Sequence, residues 1–187
     1  ARDVLSPDLL WDEKLHGRIL CEGAQGYHLD IDQGNYPYVT SSTTLPYAAC
    51  SLGFPPQKIR HIWGISKIYD TRSGVDPLFP DDLFKDPDLT TLGDLGQEFG
   101  VTTGRRRHCN WLNVDMMIEA ARLTGTTHLV INKCDIIRKL GIFKCYSQGE
   151  LKEFSSYHKL TEFITDAVGK SNSLVKHIHL SSSPEKI

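Results

Sequence analysis

Residues 21–44, CEGAQGYHLDIDQGNYPYVTSSTT, combine a glutamine between two glycines, paired aspartates and a run of hydroxyl side chains in one segment. Gln25 lies near glycines, which let a ligand approach the backbone closely. Its amide both donates and accepts hydrogen bonds, as reading the 6-oxo edge of a purine requires. The hydroxyls from Thr40 to Thr44 offer donors at a density suited to a phosphate. The composition predicts either a nucleotide-binding loop or a polar surface loop.

A second segment, residues 100–107, is short, cationic and rich in hydrogen-bond donors. A guanidinium can hold a carboxylate through two parallel hydrogen bonds, so Arg105 and its neighbours suit a dicarboxylate such as aspartate. The alternatives are a solvated basic turn and a nucleic-acid patch. No further basic stripe or set of stacking aromatics accompanies these arginines, so we expect no nucleic-acid partner.

The third segment, INKCD at residues 131–135, directly follows an apolar run suited to a buried parallel strand. Ligand-binding loops of α/β sheets lie in this position. The Asp135 carboxylate can accept from the N1–H and 2-amino groups of guanine, and the aliphatic stem of Lys133 can cover a base.

Composition limits the function classes. The chain has 187 residues, a formal net charge of −2, 40% hydrophobic and 24% charged residues, which is ordinary for a globular domain and gives no overall attraction to nucleic acid or membrane. No apolar run approaches the roughly 20 residues of a membrane span. The five cysteines form no CxxC pair, so neither a disulfide framework nor a zinc site is expected.

Periodicity predicts strands alternating with helices. Residues 111–123 and 150–168 carry apolar side chains at helical spacing, and residues 70–100 have the prolines and glycines of loops with short helical pieces. The strand candidates are residues 18–22, 61–69, 128–132, 141–146 and 175–180. This alternation predicts an α/β fold with a mostly parallel sheet flanked by helices.

The three segments together resemble the adenylosuccinate synthetase family. EGAQG, LDID and VTSS resemble its first signature, GQEFGVTTGRRRHCNWL at residues 96–112 its aspartate-binding loop, and NKCD its T/N-K-x-D guanine-reading element. The resemblance covers nearly the whole chain but only the later half of a family member. It implies that residues 1–187 are the later half of a single P-loop-NTPase-like domain with long ligand-binding loops. The family's GWGDEGKGK and GHT segments, which form the phosphate-loop half, are absent.

The resemblance also implies roles for individual residues. Gln25 would contact the purine base of the acceptor nucleotide, Thr40 its phosphate and Ser73 its ribose. Arg107, close to the transferring phosphate, would be the catalytic residue. The other matched residues are Thr102, Thr103 and Arg105 for aspartate, and Lys133, Asp135 and Ser183 for the base of a nucleoside triphosphate.

Two segments depart from the family pattern. An asparagine and a small Ala-Gly-rich run normally follow VTSS, where this chain has Thr43, Thr44, Leu45 and Pro46, and SSSP replaces STGP near the end, with Ser183 in place of glycine. No metal ligand and no general base can be assigned. Asp30 and Asp32 carry carboxylates, but the family uses this segment structurally, so neither residue is assigned a catalytic role.

The resemblance implies a ligase of purine nucleotide biosynthesis that joins L-aspartate to a 6-oxo purine nucleotide. A nucleoside triphosphate, GTP or ATP, would phosphorylate O6 with Mg²⁺, in a cytoplasmic homodimer. The acceptor is IMP in cellular members and dGMP in the compact phage-type 2-aminodeoxyadenylosuccinate synthase branch, which would act in the host cytoplasm. The compact length and the departures above leave both open. The alternative from another class is a non-catalytic nucleotide-binding module, since the chain has no phosphate loop.

Overall fold

The computed structural model describes residues 17–185, in two compact units that divide between Ile62 and Trp63. The described part of the first unit contains short 3-10 helices at Tyr27–Leu29, Pro46–Leu52 and Pro56–Lys58 and no strand. The predicted strand at residues 18–22 is wrong. These residues are exposed and adopt no regular structure, since a short apolar run forms a strand only where another strand pairs with it.

The second unit contains two sheets. The first is a three-stranded parallel sheet, and the second has four strands of mixed direction. In chain order the strands are β1 (Trp63–Lys67), β2 (Tyr69–Arg72), β3 (His108–Asn113), β4 (His128–Asn132), β5 (Phe143–Ser147), β6 (Glu150–Phe154) and β7 (His177–Leu180). The parallel sheet has the order β1-β4-β7 and the mixed sheet β2-β3-β5-β6.

The predicted α/β class with a mostly parallel sheet is confirmed. Three of the five strand pairings are parallel, β1 with β4, β4 with β7 and β3 with β5. The other two, β2 with β3 and β5 with β6, are antiparallel. The strand predicted at residues 128–132 coincides with β4.

Four α-helices flank the strands, and side chains cap three of them. The helices are α1 (Pro87–Leu95), α2 (Val114–Leu123), α3 (Cys134–Leu140) and α4 (Tyr157–Ser171). Asp86 accepts hydrogen bonds from two amides at the start of α1, and Asn113 and Ser156 accept one each at α2 and α4. No side chain of residues 17–185 caps α3. The residue before this helix, Lys133, instead has a left-handed backbone conformation, with φ of 63°.

Two predicted helices are partly wrong. Residues 111–113 belong to β3, and residues 150–154 form β6 before α4 begins. Gln148 and Gly149 both have positive φ, at 56° and 76°, and form the tight turn that pairs β5 with β6. The helical spacing of Leu151 and Phe154 is therefore coincidental, because a turn and a capping serine decide the structure here.

The core of the second unit is one apolar cluster in which both sheets and all four helices take part. Its fully or almost fully buried members include Ile68, Tyr69, Leu92, Leu112, Ile131, Ile137, Leu160 and Ile164. This packing fixes the strand ends and so the loops that follow them.

Candidate functional site

The candidate site of the second unit lies along the carboxyl edge of the parallel sheet. Strands β1, β4 and β7 run in one direction and end at Lys67, Asn132 and Leu180. Lys133 directly follows β4, Asp135 lies in the first turn of α3, and residues 181–183 follow β7. This edge is where α/β sheets bind ligands.

The loops after β4 and β7 are joined by backbone hydrogen bonds. The Cys134 amide donates to the Ser181 carbonyl at 3.1 Å, and the Ser181 amide donates to the Ile131 carbonyl at 2.8 Å. Arg138 also donates to the Ser182 hydroxyl. Lys133, Asp135 and Ser183, predicted to surround one nucleotide base, therefore lie in adjoining segments.

Two side-chain oxygens close to the junction of β4 and α3 differ in their contacts. The Asp135 carboxylate is about one-third exposed and lies 3.3 Å from the Lys139 ammonium. The Asn132 Oδ1 atom is buried and accepts no hydrogen bond from any residue among 17–185. An unsatisfied buried acceptor is costly unless a ligand supplies a donor.

Residues 96–107, here called the arginine hairpin, form a tight loop after α1. Phe99 and Arg106 form an antiparallel bridge, and the Gly100 amide donates to the Arg105 carbonyl at 2.8 Å. Gly104 allows the turn with a φ of 64°. The predicted aspartate-binding residues Thr102, Thr103 and Arg105 lie exposed at its tip.

The three arginines of this hairpin have different surroundings. Arg105 is exposed, and its guanidinium forms no ion pair with any residue that the structure describes. Arg106 is held by the Asp94 carboxylate at 2.8 Å and the Thr90 carbonyl at 2.7 Å. Arg107 lies 3.4 Å from the Glu98 carboxylate. Arg106 is thus a structural residue, whereas no ion pair among the described residues occupies the guanidinium N–H donors of Arg105.

Glu98 lies at the centre of a polar cluster that the sequence did not predict. Its Oε2 atom accepts from Lys67 at 2.7 Å and from Arg107, and its Oε1 atom accepts from the Tyr69 hydroxyl at 2.8 Å. The Lys67 ammonium also donates to Thr71 at 2.8 Å. Only the position of Lys67 at the end of a strand could have indicated that it belongs to the site.

Burial and charge set the ionisation of this cluster. Burial alone would raise the pKa of Glu98, but the hydrogen bonds from Lys67 and Tyr69 and the charge of Lys67 hold it below its ordinary value. Burial lowers the pKa of Lys67, and the contact with Glu98 opposes this effect. Glu98 is therefore a carboxylate at neutral pH and compensates the buried positive charge.

The predicted nucleotide-binding loop of the first unit is organised around Asp30. This fully buried carboxylate accepts from the amides of Asp32 and Gln33 and, through its other oxygen, from the Thr43 hydroxyl and the Thr44 amide. Burial alone would raise the pKa of Asp30, but these hydrogen bonds lower it to about 2. Asp30 is thus structural, and Thr43 and Thr44, which depart from the family pattern, hold it.

The other predicted residues lie in loops. Gln25 is exposed and has a positive φ of 60°. Thr40 is half-buried, and its amide donates to the Leu29 carbonyl at 2.8 Å. Ser73, in the second unit, is exposed just after β2 and precedes Gly74, whose φ is 87°.

Within residues 17–185 no group of three or more histidine, cysteine, aspartate or glutamate side chains could hold a metal ion. In the same part of the chain, no helix combines the length and apolar character needed to cross a membrane.

Sequence comparisons identify relatives for most of the chain. A family model described as adenylosuccinate synthetase matches residues 6–168. The adenylosuccinate synthetase of Desulforapulum autotrophicum is 53% identical over 121 residues, which cover 64% of this chain and 28% of that protein. That of Trichoplax adhaerens is 40% identical over 172 residues, covering 86% of this chain and 38% of the relative. The chain spans well under half the length of these relatives.

Two solved structures are similar to the chain. The fully ligated adenylosuccinate synthetase from Plasmodium falciparum has a TM-score of 0.61 and 31% identity, over 75% of this chain and 35% of that one. The cyanophage S-2L succinoaminodeoxyadenylate synthetase, bound to dGMP and dATP, has a TM-score of 0.57 and 22% identity, over 87% of this chain and 43% of that one. The second likeness is one of fold alone.

Proposed function

Because this chain belongs to the adenylosuccinate synthetase family, we propose that it forms the later half of a ligase that condenses L-aspartate with a 6-oxo purine nucleotide. The observation that carries the proposal is the family match over residues 6–168. The position of Lys133, Asp135 and Ser183 at the carboxyl edge of the parallel sheet supports it, since ligands bind there in α/β folds.

The proposed reaction has two steps. The γ-phosphoryl group of a nucleoside triphosphate is transferred to O6 of the purine, the purine N1–H loses its proton, and the diphosphate is released. The aspartate amine then attacks C6, the C6–O6 bond breaks, phosphate leaves and the amine loses a proton. Activation is needed because an amide-like oxygen is a poor leaving group. Arg107, with its fixed positive charge, is the proposed catalytic residue that stabilises charge on the transferring phosphoryl group.

Aspartate is the proposed ligand of the tip of the arginine hairpin. Thr102, Thr103 and Arg105 are exposed there, and the Arg105 guanidinium has no competing ion pair among the described residues. An arginine with free donors and two hydroxyls matches the two carboxylates of aspartate.

The nucleoside triphosphate is proposed to bind with its base between the loops after β4 and β7. Asp135 supplies the acceptor for a guanine, the stem of Lys133 covers one face, and Ser183 lies in the adjoining loop. GTP is therefore the proposed co-substrate, with ATP as the competing possibility. Mg²⁺ would accompany the triphosphate. Residues 17–185 offer no cluster that fits a metal ion, so no step is assigned to it here.

On the family resemblance, the acceptor nucleotide is proposed to contact the first unit, with Gln25 at its base and Thr40 at its phosphate. IMP and dGMP share the 6-oxo group that Gln25 would read and differ in the 2-amino group and the 2′-hydroxyl. The cyanophage structure named above is bound to dGMP, which supports testing dGMP beside IMP.

We further propose a homodimer in the cytoplasm, on the family resemblance alone. Sedimentation velocity tests the dimer.

The decisive experiment expresses the complete open reading frame that contains Ala1 and measures phosphate release with aspartate, GTP or ATP, and IMP or dGMP. Turnover that requires aspartate and one of the two acceptors is expected. Turnover with dGMP alone would place the chain in the phage-type branch, and turnover with IMP alone in the cellular branch. A folded protein that binds nucleotide without phosphate release would overturn the proposal in favour of a non-catalytic binding module.

A further inference from the structure

Arg107 is attached to Glu98 at two points. The Arg107 amide donates to the Glu98 carbonyl at 2.9 Å, and its Nη1 atom lies 3.4 Å from Glu98 Oε2. Glu98 itself is only 3% exposed. The guanidinium is therefore tethered to a buried group, which restricts a side chain that otherwise has many rotamers.

The position of Glu98 is fixed from several sides. Its amide donates to the Gly93 carbonyl at 2.9 Å, which ties it to α1. Its Oε1 atom is held by the buried Tyr69 hydroxyl. Gly96 makes this contact possible, because a Cβ at that position would collide with the Tyr69 hydroxyl. Glu98 is thus a rigid anchor.

The Glu98 carboxylate contacts two cations, and the charge of a third cation also acts on it. Lys67 and Arg107 share Glu98 Oε2, and the charge of Lys133 acts on both Lys67 and Glu98. The cluster keeps an excess of positive charge that can attract an anion. The Arg107 Nε atom is buried and makes no hydrogen bond to any described residue, so the tether does not use all the guanidinium donors.

We infer that Glu98 is a positioning residue for the reaction. Its carboxylate, supported by Tyr69 and shared with Lys67, holds the Arg107 guanidinium in the orientation that phosphoryl transfer requires. The inference rests on the proposed function, since it assigns Glu98 to the same site. Glu98 contacts no substrate and acts only through Arg107. Orientation matters because a misplacement of about 1 Å at a reacting centre can cost about a hundredfold in rate.

The test is a double-mutant cycle on the complete enzyme, with phosphate release as the assay. Glu98→Gln keeps the shape of the side chain and removes its charge. It is expected to lower kcat between about tenfold and a hundredfold, with the KM for aspartate and for both nucleotides changed by less than about twofold. In an Arg107→Lys background the same change should have almost no further effect on kcat, because lysine has no planar fork to orient.

The control and a second variant separate positioning from folding. Asp166→Asn breaks the exposed Lys170–Asp166 pair and should change neither kcat nor Tm. If Glu98→Gln does not yield a folded enzyme, Tyr69→Phe takes its place in the cycle. Tyr69→Phe removes only the hydroxyl that donates to Glu98 Oε1. It should lower kcat less than Glu98→Gln does, and it should have almost no further effect on kcat in the Arg107→Lys background.

Three results would overturn the inference. The first is an unchanged kcat in the folded Glu98→Gln enzyme, and the second is an unchanged kcat in the Tyr69→Phe enzyme used in its place. The third is a double mutant with Arg107→Lys in which the fold losses of kcat of the two single mutants multiply. Each leaves the proposed function intact if the wild type is active. A wild type without turnover would instead overturn the proposed function and this inference together.

Discussion

The ammonium group of Lys133 lies 2.9 Å from the carbonyl oxygen of Gly96. This hydrogen bond joins the loop after β4 to the first residue of the arginine hairpin. The proposed base-reading loop and the proposed aspartate-binding loop, 37 residues apart in sequence, are therefore mechanically connected. The aliphatic stem of Lys133 remains available to cover a base while its charge is engaged elsewhere.

Lys133→Met should therefore affect two substrates at once. Methionine keeps an apolar stem but loses a charge-assisted hydrogen bond, which contributes about 1.5–3 kcal/mol. We expect the KM for the nucleoside triphosphate and the KM for aspartate both to rise by at least about tenfold, because each loss of about 1.4 kcal/mol in binding free energy is a factor of ten. Steady-state kinetics with each substrate varied measures this. Lys170→Met, on the exposed surface of α4, should change neither. A rise confined to the triphosphate would show that the two loops are independent.

Arg105→Leu should raise the KM for aspartate by at least about tenfold, because a charge-assisted guanidinium–carboxylate contact is lost. The KM values for the two nucleotides should stay within about twofold, since this exposed side chain is assigned to aspartate alone. The matched control is Arg122→Leu, exposed in the last turn of α2. Normal turnover with an unchanged aspartate KM would remove Arg105 from the site.

Asp135→Asn should reduce the preference for GTP over ATP by at least about tenfold, because a site built to pair hydrogen-bonding groups discriminates strongly against ligands that lack them. An asparagine cannot accept from both guanine donors. The measurement is kcat/KM for each triphosphate. Lys139→Met removes the exposed ion-pair partner of Asp135 without touching the carboxylate, and should leave the ratio unchanged. Equal ratios in wild type and Asp135→Asn would mean that this loop does not read the base.

Asp30→Asn should destabilise the chain by about 1–3 kcal/mol at pH 7, because buried donors lose a charged acceptor. The pKa of Asp30 is lowered to about 2 from 3.8. The carboxylate therefore contributes its stability fully above about pH 3.8 and loses it as the pH falls towards 2. Calorimetry across this range should show wild type and Asp30→Asn converging on acidification. The exposed neighbour Asp32→Asn is the control, and a gap that stays constant down to pH 2 would contradict the assignment.

Gly96→Ala and Gly169→Ala should have opposite effects on stability. A Cβ at Gly96 would collide with the Tyr69 hydroxyl, whereas one at Gly169 in α4 has no atom within 4 Å. Overpacking typically costs about 1–3 kcal/mol, and alanine in a helix is favoured over glycine by about 1 kcal/mol. Urea unfolding of both variants measures the difference. A Gly96→Ala protein as stable as wild type would show that Tyr69 can move away from Glu98.

The local features of the fold could be predicted from the sequence. The sequence predicts strand β4 with its bounds because the apolar residues 129–131 stand directly before a polar loop, and this local pattern does not depend on a partner segment. The two partly wrong helices have the opposite cause. Residues 150–154 carry apolar spacing that fits a helix, but the tight turn at Gln148 and Gly149 pairs them with β5. Periodicity describes a single segment and carries no information about its partner.

The sequence by itself determined the family, the α/β class and the three segments in which most of the proposed site residues lie. The tertiary structure alone decided what those residues contact. Lys67 and Tyr69 meet Glu98 across 31 and 29 residues, and Lys133 meets Gly96 across an even longer separation. Among the three adjacent arginines, the tertiary structure pairs Arg106 with Asp94 and places Arg107 beside Glu98. The Arg105 guanidinium has no ion-pair partner among the described residues. These contacts depend on where packed strands and helices bring the chain back to itself, because hydrogen bonds and ion pairs act over a few ångströms of space regardless of separation in sequence.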